Sequence, residues 1–150
     1  MLSKKSKYAI IALINLAKRY GKGPVMIGHI ADDENIPKKF LEAILFELKT
    51  AGIVNSKRGR SGGYYLIKQP AEVHLAQIMR LFDGPIALIP CVTYQYYEPC
   101  PECKDEKTCA IRKVFKDVRD AAVAILKNAT LEEMIRIENK LEEQQRTIDR

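Results

Sequence analysis

Four cysteines fall between positions 91 and 109 of a 150-residue chain, and none falls elsewhere. They are spaced Cys91, eight residues, Cys100-Pro-Glu-Cys103, five residues, Cys109. Thiolates at tetrahedral corners suit zinc or an iron–sulfur cluster. A Cys-x-x-Cys pair serves zinc, clusters and disulfide chemistry alike, so the pair alone decides little. A structural zinc knuckle uses two tight pairs, whereas here Cys91 and Cys109 stand apart, which favours a cluster held by a loop, with zinc as the alternative. Disulfides of a small secreted domain staple distant segments, unlike this cluster. A thiol-disulfide enzyme built on Cys100 and Cys103 is the weaker reading, because no thioredoxin-like βαβ pattern surrounds the pair. Lys104 and Lys107 would lower the thiol pKa values while Glu98, Glu102, Asp105 and Glu106 oppose them, leaving that balance open.

A second group of residues offers a different chemistry. Residues 1–70 hold 13 Lys and Arg against 5 Asp and Glu, a net +8, and residues 71–150 hold 12 against 14, a net −2. A basic half joined to a nearly neutral one suits a polyanion-binding module beside something else. Within the basic half, residues 37–50 carry Phe40, Leu41, Ile44, Leu45 and Leu48 at helical spacing, leaving Lys38, Lys39, Glu42, Ala43, Phe46 and Lys49 pointing outward. A helix fits the major groove, where Lys reaches phosphate or guanine and Glu accepts from cytosine N4. Downstream, Arg58 and Arg60 lie in Arg58-Gly59-Arg60-Ser61-Gly62-Gly63, a glycine-rich tip suited to the minor groove or flanking phosphates.

The elements that must position these residues follow from pattern. Residues 6–20 place Tyr8, Ile11, Leu13, Leu16, Ala17 and Tyr20 on one helical face, and Gly21-Lys22-Gly23-Pro24 stops the helix. A short helix follows over Ile27–Glu34, then a tight turn at Asn35-Ile36-Pro37, with Pro37 suited to a first helical position. Gly52 closes the next helix at a C′ position. Residues 53–57 and 64–68 read as two strands, with Tyr64 and Tyr65 packing the hairpin. Helices are predicted over 75–83, led by Ile78, Met79 and Phe82, and over 110–127; a last one opens at Thr130, whose spacing to Glu133 matches a capping box, and its charged end is expected to fray. His74 reads as a surface or capping residue, and His29 as structural.

Helix, short helix, turn, helix, hairpin is the winged helix-turn-helix plan. The predicted fold is mainly α with a small β-hairpin wing, followed by a long dimerisation helix. The predicted units are residues 1–84, a DNA-binding domain; 85–109, a cysteine-bearing sensor loop; and 110–150, the dimerisation helix with a C-terminal helix. One such module offers few base contacts, so a homodimer reading a pseudo-palindrome in double-stranded DNA is expected. Ile111, Val114, Phe115, Val118, Ala121, Ala122, Ile125 and Leu126 form its predicted surface. No apolar run approaches the ~20 residues that span a bilayer. The N-terminal apolar stretch is broken by Asn15, Lys18 and Arg19 and lacks a cleavage site, so it reads as the first helix of a cytoplasmic protein.

Several segments resemble the Rrf-two family of bacterial winged-helix transcription regulators, of the IscR, NsrR and CymR kind. They are Tyr8-Ala9, Pro24-Val25, Ile30-Ala31, Phe40-Leu41-Glu42, residues 48–54, Arg58-Gly59 through Gly62-Gly63-Tyr64, Gly84-Pro85 and residues 109–112. The resemblance spans nearly the whole chain and implies a dimer whose long helix crosses its partner. It also implies, in cluster-bearing members, three loop cysteines and one other residue holding a [2Fe-2S] or [4Fe-4S] cluster. Oxidation, nitric oxide or cluster loss then changes DNA affinity. By position Glu42 matches the base-reading glutamate and Arg58 the minor-groove arginine. Cys91 and Cys109 match the first and last cluster cysteines, and either Cys100 or Cys103 the middle one. The chain departs where Arg112 replaces the ligand histidine of IscR-like members and Lys7 stands near the acidic ligand of NsrR-like ones, leaving the additional cysteine to take their place. Arg60-Ser61 stands where Pro-Gly is common. Some members carry no cluster and sense metabolites through a protein partner. The expected function is a DNA-binding repressor or dual regulator governed by an iron–sulfur or redox-sensitive loop; the alternative is a zinc-stabilised or cluster-free regulator.

Overall fold

The computed structural model describes residues 2–150. Six helices and one hairpin form around a single core whose centre is α1 (Lys4–Lys18). Ser3 starts this helix, its hydroxyl accepting from the Ser6 N–H at 3.0 Å. The buried face differs from the predicted one: Ala9, Ala12, Leu13 and Leu16 are enclosed, Ile11 is half-buried and Tyr20 is exposed. The reason is crowding. Four other helices and the hairpin touch α1, so the small alanines mark where backbones approach closely and the single stripe widens.

The α2 helix (Ile27–Glu34) ends at Asn35, which adopts a left-handed backbone with φ 52° and lets Ile36 turn into the core. Pro37 then occupies the N-cap of α3 (Lys38–Thr50), one position earlier than the sequence suggests. Leu41, Ile44, Leu45 and Leu48 anchor α3, while Phe40 stays part-exposed and meets Tyr8 edge-to-face at 5.5 Å. At the end of α3, Gly52 with φ 74° permits two reverse hydrogen bonds, Gly52 N–H to the Lys49 carbonyl and Ile53 N–H to the Leu48 carbonyl, both 3.0 Å.

The hairpin pairs β1 (Val54–Lys57) with β2 (Gly63–Leu66), antiparallel, with Val54 opposite Leu66 and Lys57 opposite Gly63. β1 starts one residue later than predicted, whereas β2 starts one residue earlier and ends two earlier, beside Val25, which adds a third line by exchanging two 2.8 Å hydrogen bonds with Tyr64. That approach is what Gly63 serves: a Cβ there would sit 2.2 Å from the Val25 carbonyl oxygen. Tyr64 packs on the core and Tyr65 stays part-exposed.

The next helix, α4 (Leu75–Asp83), lies on α1 and is capped by His74, whose Nδ1 accepts from Gln77 N–H at 3.2 Å. Ala76 and Ile78 are its buried residues, with Met79 and Phe82 half-buried. Residues 84–109 hold only two short 3-10 turns, Pro90–Val92 and Glu106–Thr108. They lead into α5 (Ala110–Asn128) and α6 (Leu131–Ile148). The capping spacing at Thr130 is half realised: its hydroxyl accepts from Glu133 N–H at 3.1 Å, while the Glu133 carboxylate turns to Arg136. The opening of α6 returns to the core. Leu131 is fully buried there, its N–H reaches the Val73 carbonyl at 2.9 Å, and Lys18 pairs with Glu138 at 2.7 Å. The helix extends to Ile148, with Glu142–Arg146 and Gln145–Asp149 contacts along its exposed end. No helix among the described residues is long and apolar enough to cross a membrane.

Candidate functional site

The outward face of α3 carries Lys38, Lys39, Glu42, Ala43, Phe46 and Lys49, all exposed as the apolar spacing requires. Phe46 stands out at 68% exposure. Neighbouring contacts fix this helix: Lys5 pairs with Glu47 from α1, and Lys49 Nζ donates to Ser56 Oγ on β1 at 2.7 Å. The α1–α2 junction is tied by Asn15 Nδ2 to Glu34 Oε1 at 2.8 Å and by Arg19 to Asp33 at 2.6 Å. Arg58 and Arg60 are exposed on the turn between β1 and β2, which closes by a 3.0 Å bond from Gly62 N–H to the Gly59 carbonyl. Among the described residues Lys38, Lys39, Arg58 and Arg60 form no ion pair, so four cations remain available on one module. His29 on α2 is exposed, not structural as the sequence suggested, because α2 spends only Ile30 and Ala31 on the core.

The second candidate region is the loop. All four thiols are free and line one cavity of about 110 Å³, together with Ile89, Glu102, Glu106, Ile111 and Arg112. Cys91 is 6% exposed in the Pro90–Val92 turn. Cys103 N–H bonds the Cys100 carbonyl at 3.2 Å, which forms the Cys-x-x-Cys turn. Cys109 is the N-cap of α5, its sulfur accepting from Arg112 N–H at 3.4 Å. A hydrogen bond from Cys100 to the Glu102 carboxylate, 3.1 Å long, pushes that thiol's pKa up; burial and then the Cys109 thiol push up that of Cys103. The neighbouring carboxylate and burial, rather than Lys104 and Lys107, lead these shifts. The donor set fits an iron–sulfur cluster or zinc in kind. Arg112 supports this: its Nε is buried without a partner on the same cavity, a cation suited to a thiolate-bound metal. Among the described residues, however, no three His, Cys, Asp or Glu side chains are drawn into a metal-holding set.

Sequence reading missed one polar knot beside this cavity. Arg119 of α5, 7% exposed, donates through Nη1 to the Val92 carbonyl and through Nε and Nη2 to Asp120 Oδ1 at 3.0 and 2.7 Å. Tyr94 closes it, its ring 4.0 Å from the guanidinium and its hydroxyl donating to Asp120 at 3.2 Å. The one available signal was an arginine at a position where the helical period falls inward.

A family model described as Rrf2, iron-dependent transcriptional regulator, matches residues 2–137. The chain belongs to the Rrf2 family. An rrf2-like HTH-type transcriptional regulator of Rhodobacter capsulatus is 44% identical over 138 residues, covering 90% of this chain and 92% of that one. CymR of Bacillus subtilis is 33% identical over 133 residues, covering 89% and 88%. The structure of CymR, the global cysteine regulator of B. subtilis, superposes with a TM-score of 0.75 at 31% identity, over 89% of this chain and 95% of that one. IscR of T. potens gives 0.72 at 25% identity, over 92% and 88%. This Rrf2 chain is accordingly a DNA-binding transcriptional regulator of the winged-helix type and not an enzyme, as its sequence predicted.

Proposed function

We propose that this Rrf2 regulator is a homodimeric repressor whose operator affinity is set by the state of its 91–109 loop, through an iron–sulfur cluster. One observation carries the sensor reading: four free thiols share a single cavity at the start of α5. Residues 1–84 act as the reading head, 85–109 as the sensor, and 110–150 as the dimer helix with its returning partner. Cys91 and Cys109, with the Cys100–Cys103 pair, would hold the cluster. When bound, it supplies a centre sensitive to oxidation and nitric oxide. Glu42 reads a base edge, Lys38 and Lys39 hold phosphate beside Ala43, and Arg58 and Arg60 enter the flanking groove. Dimer formation through Ile111, Val114, Val118 and Ile125 is supported by their exposure on one stripe of α5. Since the loop joins the reading head to that helix, its ordering sets the spacing of two reading helices, for a differential affinity of about 1–3 kcal/mol. The regulator acts on double-stranded DNA in the cytoplasm.

The test is anaerobic purification with an absorption spectrum and iron, sulfide and zinc counts, alongside DNA binding by wild type, Cys91→Ala and Cys109→Ala. Visible absorption lost in both variants, with operator affinity shifted roughly 10-fold, is expected. Unchanged affinity would sink the coupling, and a colourless protein holding zinc would replace the cluster by a structural metal. A cluster-free thiol regulator is the second reading. It is supported by the likeness to CymR, named the global cysteine regulator of B. subtilis.

A further inference from the structure

The cysteine loop is held unevenly. Among the described residues, 95–108 form hydrogen bonds only inside the loop, such as Tyr97 to Glu106 and Cys103 to Cys100. The stretch before them is different. Val92 is buried, Thr93 N–H returns to the Pro90 carbonyl at 3.2 Å, and the Val92 carbonyl takes the Arg119 guanidinium. Arg119 lies ten residues beyond Cys109, about 15 Å along the helix. The loop's two ends are therefore attached to α5 at separate places, Cys109 as its cap and Val92 at its middle.

We propose that Arg119 is a positioning residue for Cys91, fixing the peptide next to this thiol against α5, while Cys100 and Cys103 have no such tie. A buried guanidinium would be costly to enclose without partners. Here its donors are spent on one backbone carbonyl and one exposed carboxylate, and an aromatic ring covers its face. Hydrogen bonding to Arg119 holds the Asp120 carboxyl below its ordinary range, so the knot keeps its charge through neutral and mildly acidic pH. No other contact of this kind binds the loop to a helix among the described residues. The consequence is asymmetric: Cys91 has a fixed place, and whatever gathers the four thiols must bring Cys100 and Cys103 to it. The use of this asymmetry rests on the sensor reading above, but the positioning itself does not.

Alkylation of metal-free, reduced full-length protein by iodoacetamide, followed per cysteine by mass spectrometry, tests it. In wild type Cys91 should react slowest. In Arg119→Met its rate should rise about 10-fold, through easier local opening, with Cys100, Cys103 and Cys109 within about twofold of wild type. Arg119→Lys can still donate to the Val92 carbonyl but cannot fork onto Asp120, and should return Cys91 to within about threefold of wild type. A general loss of stability would accelerate all four thiols together, and that result overturns the proposal. So does an unchanged Cys91 rate in folded Arg119→Met. If that variant fails to fold, Asp120→Asn on the exposed side of the knot replaces it, with about a threefold rise expected at Cys91 alone and no change counting against the proposal. The sensor reading fails or stands separately: a protein that never takes up iron yet shows this selectivity keeps the positioning role, and one that loads a cluster without it does not.

Discussion

His74 caps α4 only while its ring is neutral, because Nδ1 must accept the Gln77 N–H. Burial first, then the charges of Arg80 and Lys127, hold its pKa below the ordinary 6.5. As pH falls the unfolded chain therefore takes the proton first. The cap's contribution is complete above about pH 6.5 and declines below it, down through the folded-state value. Thermal unfolding at about pH 7.5 and 5.5 should show a larger drop for wild type than for His74→Asn, whose amide caps at both. Equal drops would remove the histidine from the acid response. On the reading face, Glu42→Ala should cost about 1–3 kcal/mol of discrimination at one base pair in a competition assay. Arg58→Ala should weaken all sequences more evenly if it meets only phosphate, and relax A·T preference if it enters the minor groove.

Among elements, α5 presents the clearest unfinished surface. Its predicted apolar residues divide: Phe115, Ala122 and Leu126 are half-buried, whereas Ile111, Val114, Val118, Ala121 and Ile125 are exposed at alternating steps of three and four. That is the spacing of a helix–helix seam. Val118→Glu should yield a species of half the mass in sedimentation and lower DNA affinity by about 100-fold; an unaltered mass would move the dimer interface elsewhere. The hairpin offers a second prediction. Gly63→Ala drives a methyl into the Val25 carbonyl, so urea unfolding should show a loss of about 2 kcal/mol or more. Element positions were largely legible because α3, α4 and α5 each carry their own period and stop signals, such as Gly52 and Gly84. The face of α1 was not, since a helix touched by α2, α3, α4, α6 and β2 buries more than one stripe. Nor was the Arg119 knot, whose partners lie 27 residues apart and announce nothing locally. The shared thiol cavity was legible from spacing; its contents of Arg112, Glu102 and Glu106 were only partly so.

At the scale of the molecule, charge and shape agree. The +8 half of the sequence is the winged helix, with unpaired cations at the helix start and the wing tip. If each protomer meets about four phosphates, a dimer releases counterions with a log–log salt slope of about −7, and a slope of about −3.6 would mean one head binds at a time. The return of Leu131 beneath Val73 has a further consequence. The far end of α5 is moored, through α6, to the same core that carries α3, so a cut after Asn128 removes a buried part of that core. Such a fragment would lose the Leu131 packing, worth about 2–5 kcal/mol, and should melt at a lower temperature than the full chain. Mechanically, the long helix is less a boom swinging from a hinge than a spar lashed at its middle and its far end.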